Sequence, residues 1–63
     1  MPELKTLKSI STKRYEIALI ELPSGKYCVV LESDGDIKYG DPITDYNTAS
    51  YIFDVKLKEL EGN

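Results

Sequence analysis

Residues 15–32, YEIALIELPSGKYCVVLE, decide the fold. Two short runs rich in β-branched and aromatic residues, 15–22 and 27–32, flank a Pro-Ser-Gly link. Such runs, bounded by turn residues, read as strands. Proline presets φ at the first loop position, and Gly25 can take the left-handed conformation that a three-residue hairpin loop requires. That loop sets the register. Leu22 pairs with Lys26, Ile20 with Cys28, Ala18 with Val30 and Glu16 with Glu32, while Leu19 pairs with Val29 and Ile17 with Leu31. Because side chains alternate along a strand, one face carries Tyr15, Ile17, Leu19, Val29 and Leu31. The other carries Ala18, Ile20, Leu22, Cys28 and Val30, closed at one end by the two glutamates. Both faces are apolar. An antiparallel sheet with one solvated face alternates apolar and polar residues, so something should cover each side.

Downstream, Ser33-Asp34-Gly35-Asp36 turns the chain into a third strand, Ile37 to Gly40. Asp34-Gly35 can act as a two-residue turn or as part of a three-residue loop with Gly35 at the bulge. The two differ by one residue of register, which moves Ile37 and Tyr39 to opposite faces. The longer loop is favoured here, because it sets Ile37 beside Leu31 and brings Lys38 to the face of Glu16 and Glu32. Pro42 cannot donate to a ladder, so Gly40-Asp41-Pro42 ends the strand. Asp45 is a fitting N-cap for a helix from about Tyr46 to Glu61, with Gly62 just past its end. Tyr46, Ala49, Ile52, Phe53, Leu57 and Leu60 fall on one stripe at helical spacing and should cover one face of the sheet. Which face is left open, and the strip of Ala18 and Ile20 stays bare if the helix takes Ile17, Leu19, Val29 and Leu31. Tyr51 and Val55 project from the other side of the helix and are a candidate partner surface.

The expected architecture is α+β: an antiparallel β-meander of three strands with one C-terminal helix packed on one face. Its single domain spans 1–63, with a basic arm at 1–14, the meander at 15–40 and the helix at 45–61. Leu4, Leu7 and Ile10 leave the N-terminal segment open between a short helix after Pro2 and a fourth, edge strand. In either form it can lie over part of the uncovered strip.

A chain of 63 residues buries only about 60% of the surface its unfolded form exposes, near the lower limit for independent folding. Small domains add disulfides, a metal or a partner subunit. One cysteine excludes an internal disulfide, and the absence of histidine argues against structural zinc. A second copy is the remaining staple. The strip of Ala18, Ile20, Leu22, Cys28 and Val30 is therefore the candidate self-association surface, and a homodimer is expected. The free thiol, with no apolar export segment near the N-terminus, points to a reducing cytoplasm, and no apolar run approaches membrane-spanning length.

The net charge of −3 is unevenly spread. Lys5, Lys8, Lys13 and Arg14 face only Glu3 within residues 1–14, whereas Lys26, Lys38, Lys56 and Lys58 are outnumbered by acids in the rest. The basic segment, with Tyr15, Tyr27 and Tyr39 as a base-stacking platform, supports an alternative reading as a nucleic-acid binder. The sheet's own acidity argues against it. Catalysis lacks its usual parts. There is no histidine base, and Cys28 sits mid-strand among valines as a small hydrophobe. Phosphate-binding glycine motifs are absent. Asp34, Asp36, Asp41 and Asp45 do not follow an EF-hand spacing, and turn and cap chemistry accounts for all four. No metal or cofactor is expected.

The order of hairpin, third strand, YGDPITDYNTA and amphipathic helix resembles the N-terminal portion of the HicB-type antitoxin domain, over roughly Tyr15 to Leu57. The matching residues are Gly40 and Asp41 at the strand end and Ala49 in the first helical turn. The family's proline-rich strand segment and separate DNA-binding domain have no counterpart in these residues. The resemblance implies a non-catalytic, partner-binding fold. On both grounds the expectation is a small protein-interaction module, self-associating and acting as an inhibitor or regulator of a larger partner.

Overall fold

The hairpin at the centre of the chain forms as its loop residues dictate. In the computed structural model, which describes residues 4–62, strand β2 (Tyr15–Glu21) pairs antiparallel with β3 (Tyr27–Ser33). Ile17 stands opposite Leu31, Ala18 opposite Val30, Leu19 opposite Val29 and Ile20 opposite Cys28. The loop closes through Leu22 N–H to Lys26 O at 2.7 Å and Gly25 N–H to Leu22 O at 2.9 Å. Gly25 holds φ at +91°, a conformation that costs a β-branched residue dearly.

Strand β4 (Asp36–Tyr39) follows by the shorter of the two possible turns. Ser33 pairs with Asp36, Glu32 with Ile37, Leu31 with Lys38 and Val30 with Tyr39. Asp34 at φ 56° and Gly35 at φ 83° are the two central turn residues. Positive φ at both matches the right-handed twist of the flanking strands, which is why such a two-residue turn is preferred over a looser one. The longer loop expected from the sequence is therefore corrected, and with it the faces. Lys38 lies on the side of Leu31, whereas Ile37 and Tyr39 lie on the side of Ala18 and Val30. The anticipated pairing of Lys38 with Glu16 and Glu32 does not form. Past β4, Gly40 N–H bonds Val29 O at 2.9 Å, and Tyr27 and Ile43 exchange hydrogen bonds at 2.7 and 2.8 Å. Asp41 and Pro42 thus sit in an irregular step, and the missing proline N–H costs no ladder bond.

The N-terminal segment takes the strand option. Residues read from sequence as part of a basic arm form β1 (Lys5–Ser11), antiparallel to β2 at the edge of a four-stranded sheet in the order β1-β2-β3-β4. Thr12 shapes the connection. Its Oγ1 accepts the N–H groups of Arg14 and Tyr15 at 3.2 Å each, and its own N–H reaches Tyr15 O at 2.8 Å. A β-bulge between Thr6 and Lys8 re-aims the strand. In consequence Leu7 packs against the core beneath the helix, and Ile10 stands opposite Ile17. Neither lies over the strip of Ala18 and Val30, contrary to expectation. Leu4 is largely exposed.

Helix α1 (Tyr46–Glu61) closes one face. Asp45 Oδ2 accepts the Thr48 N–H at 2.8 Å and the Thr48 hydroxyl at 2.9 Å, so one carboxylate satisfies an orphan donor of the first turn. These bonds hold the Asp45 carboxyl below its ordinary value of 3.8, the backbone bond contributing most. Gly62 stays right-handed at φ −76° and returns its N–H to Lys58 O. The stripe lands as its spacing requires: Ala49 and Phe53 are buried on Ile17, Leu19 and Val29, with Ile52, Leu57 and Leu60 partly buried around them. Tyr46 meets Tyr27 edge-on, with ring centroids 5.5 Å apart. The helix packs over the two central strands, and the edge strand β1 reaches it through the Lys8 side chain.

Candidate functional site

The sheet face turned away from α1 carries the residues singled out for self-association. It is not uniformly bare. Ile20 and Cys28 are already buried within the single chain, at 6% and 4% exposure, while Ala18, Leu22 and Val30 are half-buried. The Cys28 thiol donates to Gly40 O at 3.3 Å and is buried and outside any disulfide, as a small hydrophobe with a weak donor. What the register adds to this face is more exposed. Ile37 and Tyr39, at 52% and 68% exposure, continue the apolar surface outward from Val30 onto β4. Reasoning from the sequence left both residues out of this surface. The signal was present in Asp34-Gly35, the dipeptide that favours a two-residue turn with positive φ at both positions. Glu16 and Glu32 stand directly opposite one another at the far end, as the hairpin register demanded.

The four N-terminal cations do not gather into one patch. Lys8 turns under the helix, where its ammonium donates to Ser50 Oγ at 2.7 Å and lies 5.7 Å from the centroid of the Phe53 ring. Lys5 stands opposite Glu21 across the β1–β2 ladder. Lys13 and Arg14 sit in the β1–β2 turn and line a depression shared with Glu16, Glu32 and Asp34. A phosphate backbone would meet paired and split charges there. The tyrosine platform is also corrected. Tyr15 and Tyr27 pack against the core on the helix side, whereas Tyr39 faces the opposite side. One residue of register separates them.

A third surface was not foreseen. Beyond the helix, above the β3–β4 edge, lies an open groove of about 610 Å³. Val29, Leu31, Ile43 and Ile52 make its floor, and Lys38 and Lys56 flank it. On the outer side of α1, Tyr51 is largely exposed and Val55 half-buried. Both line a shallow depression of about 470 Å³ together with Asp54, Lys58 and Glu61. Among the described residues no three His, Cys, Asp or Glu side chains come together in a way that could hold a metal ion. Nor is any helix among them long and apolar enough to cross a membrane.

Compared with family models, curated proteins and solved structures, the chain matches none. The geometry alone bears on function.

Proposed function

We propose that this protein is a small, non-enzymatic protein-interaction module that self-associates through the sheet face turned away from the helix. The observation that carries this reading is the exposed pair Ile37 and Tyr39 on the face turned away from the helix, Tyr39 opposite half-buried Val30 and Ile37 opposite Glu32. Burying a large apolar side chain fully is worth about 1.5–3 kcal/mol, and a domain of this size has little else to draw on. Two copies related by a two-fold axis would bury the same patch on each other. Glu16 and Glu32 share a cross-strand row with Ile37, so the two-fold axis is expected nearer Tyr39 and Val30, with the two acidic rows at opposite rims of the seam. The role of an inhibitor or regulator of a larger partner fits the HicB-type resemblance. A reducing cytoplasm fits the buried free thiol.

Sedimentation equilibrium tests the reading. A dimer is expected at micromolar concentration, and Ile37→Lys with Tyr39→Glu is expected to return a folded monomer. Ile20→Lys is a poorer probe, because Ile20 is buried within the single chain and a charge there unfolds it. A wild-type chain that sediments as a monomer at high micromolar concentration would remove self-association.

A further inference from the structure

Within residues 15–63 the chain has only Lys26, Lys38, Lys56 and Lys58 as cations, against ten acids. Two of those four lysines, Lys38 from β4 and Lys56 from α1, border the same apolar groove. Asp41 is the one acidic residue lining it among the described residues. An acidic body that places half its lysines around one apolar floor presents a local field of opposite sign to its average. The two lysines come from different elements and meet only through the fold.

The groove also borders an open strand edge. Among the described residues β4 pairs with β3 alone, and Gly40 N–H points inward to Val29 O. Alternation along an antiparallel strand then turns the N–H and C=O groups of Ile37 and Tyr39 outward. The opposite edge differs, since β1 is bent by its bulge and Lys8 is engaged with Ser50. Bulges of that kind discourage strand addition. The β4 edge has no such bulge within its four residues.

From these observations we infer that the groove docks an extended segment of a partner protein, added antiparallel as a fifth strand on β4 and bearing a carboxylate and an apolar side chain two residues apart. The carboxylate stands opposite Lys38, within the field of Lys56. Two residues along the same face, the apolar side chain enters over Gly40, where the strand has no side chain of its own, and rests on Ile43 and Ile52. Main-chain bonds to Ile37 and Tyr39 supply affinity, and the lysine–floor combination supplies selectivity. A free amphiphile would use the lysines and the floor but not the strand edge, which is why a peptide fits better. The inference rests on the reading of the protein as an interaction module, but not on dimerisation, which uses the opposite face.

The test is a titration of the ¹⁵N-labelled full chain, followed by amide shifts, with a capped peptide Thr-Thr-Leu-Thr-Glu-Thr-Thr and its analogue with Lys in place of Glu. That order places Leu over Gly40 when Glu stands opposite Lys38 in an antiparallel pair. Shifts are expected at Ile37, Tyr39, Gly40, Ile43 and Ile52, with the Glu peptide at least about tenfold tighter at low salt. Lys38→Glu combined with Lys56→Glu, both at exposed positions, should reverse that preference without changing the fold. The inference is overturned by equal response to the two peptides, by shifts on Ala18 and Val30 instead, or by none at millimolar peptide. Dodecanoate below its micellar concentration shifting the groove amides when the peptide does not would assign the site to an amphiphile. Concentration-dependent shifts at Ile43 and Ile52, on the helix side, without peptide would assign the groove to a second copy, whereas such shifts at Ile37 and Tyr39 together with Ala18 and Val30 belong to the opposite face. Sedimentation of the same samples reads self-association separately, so either idea can fail alone.

Discussion

The two faces of the sheet both have apolar side chains on the central strands and have different fates. On one face Ile17, Leu19 and Val29 meet Ala49 and Phe53 and are buried. On the other, Ala18 and Val30 remain half-exposed, and Ile37 and Tyr39 are more exposed still. One amphipathic helix covers the more apolar face, while the open face also carries Ser9, Ser11, Glu16 and Glu32. A 16-residue helix can lie along two strands but cannot wrap a sheet. The covered face should therefore carry most of the folding energy, and the open face should carry association.

Phe53→Ala breaks the comparison most severely. It should cost about 3–5 kcal/mol, enough to unfold a domain of this size in urea titration at room temperature, whereas Val30→Ala on the open face should cost under about 1 kcal/mol. Near-equal losses would mean that the helix does not dominate the core.

Next comes the turn that decides which residues share the open face. Gly35→Val should destabilise by about 1–2 kcal/mol, because φ near +83° is strained for a β-branched residue. Open space lies around the position where its Cβ would stand, so backbone strain alone is tested. A midpoint unchanged within error in denaturant titration would refute the two-residue turn, and with it the placement of Ile37 and Tyr39.

The helix that separates the faces depends on its cap. Asp45→Ala should lower the melting temperature by a few degrees, and the loss should vanish in acid. The sign follows from the lowered carboxyl. Stability from a depressed acid is present above the unfolded value near 3.8 and is lost as pH falls through the folded one. Wild type and variant should thus converge in thermal melts as pH falls below the lowered folded value. Asp36→Ala, outside the cap, should lower the melting temperature much less.

The smallest effect on stability and the sharpest on assembly is expected for Ile37→Lys. It should leave the monomer's denaturation midpoint nearly unchanged at low concentration while weakening self-association in sedimentation. A variant that still dimerises would move the partner surface elsewhere, with Tyr51 and Val55 the next to examine.

The local elements were legible in the chain because each is specified by short-range chemistry. Pro23-Ser24-Gly25 set the central hairpin, since only glycine sits easily at the positive φ that its loop requires. Asp45 and the spacing from Tyr46 to Leu60 marked the helix, because an N-cap and a 3.6-residue stripe are written in sequence. Tertiary structure alone decided the rest. Asp34-Gly35 was compatible with two turns, and the twist of the flanking strands selected the one that carries Ile37 and Tyr39 to the open face. The segment around Leu7 had no strong local preference, and pairing with β2 made it a strand. Lys38 and Lys56 stand 18 positions apart in the chain and frame one groove, a proximity no local pattern encodes, because it arises only when helix and sheet pack.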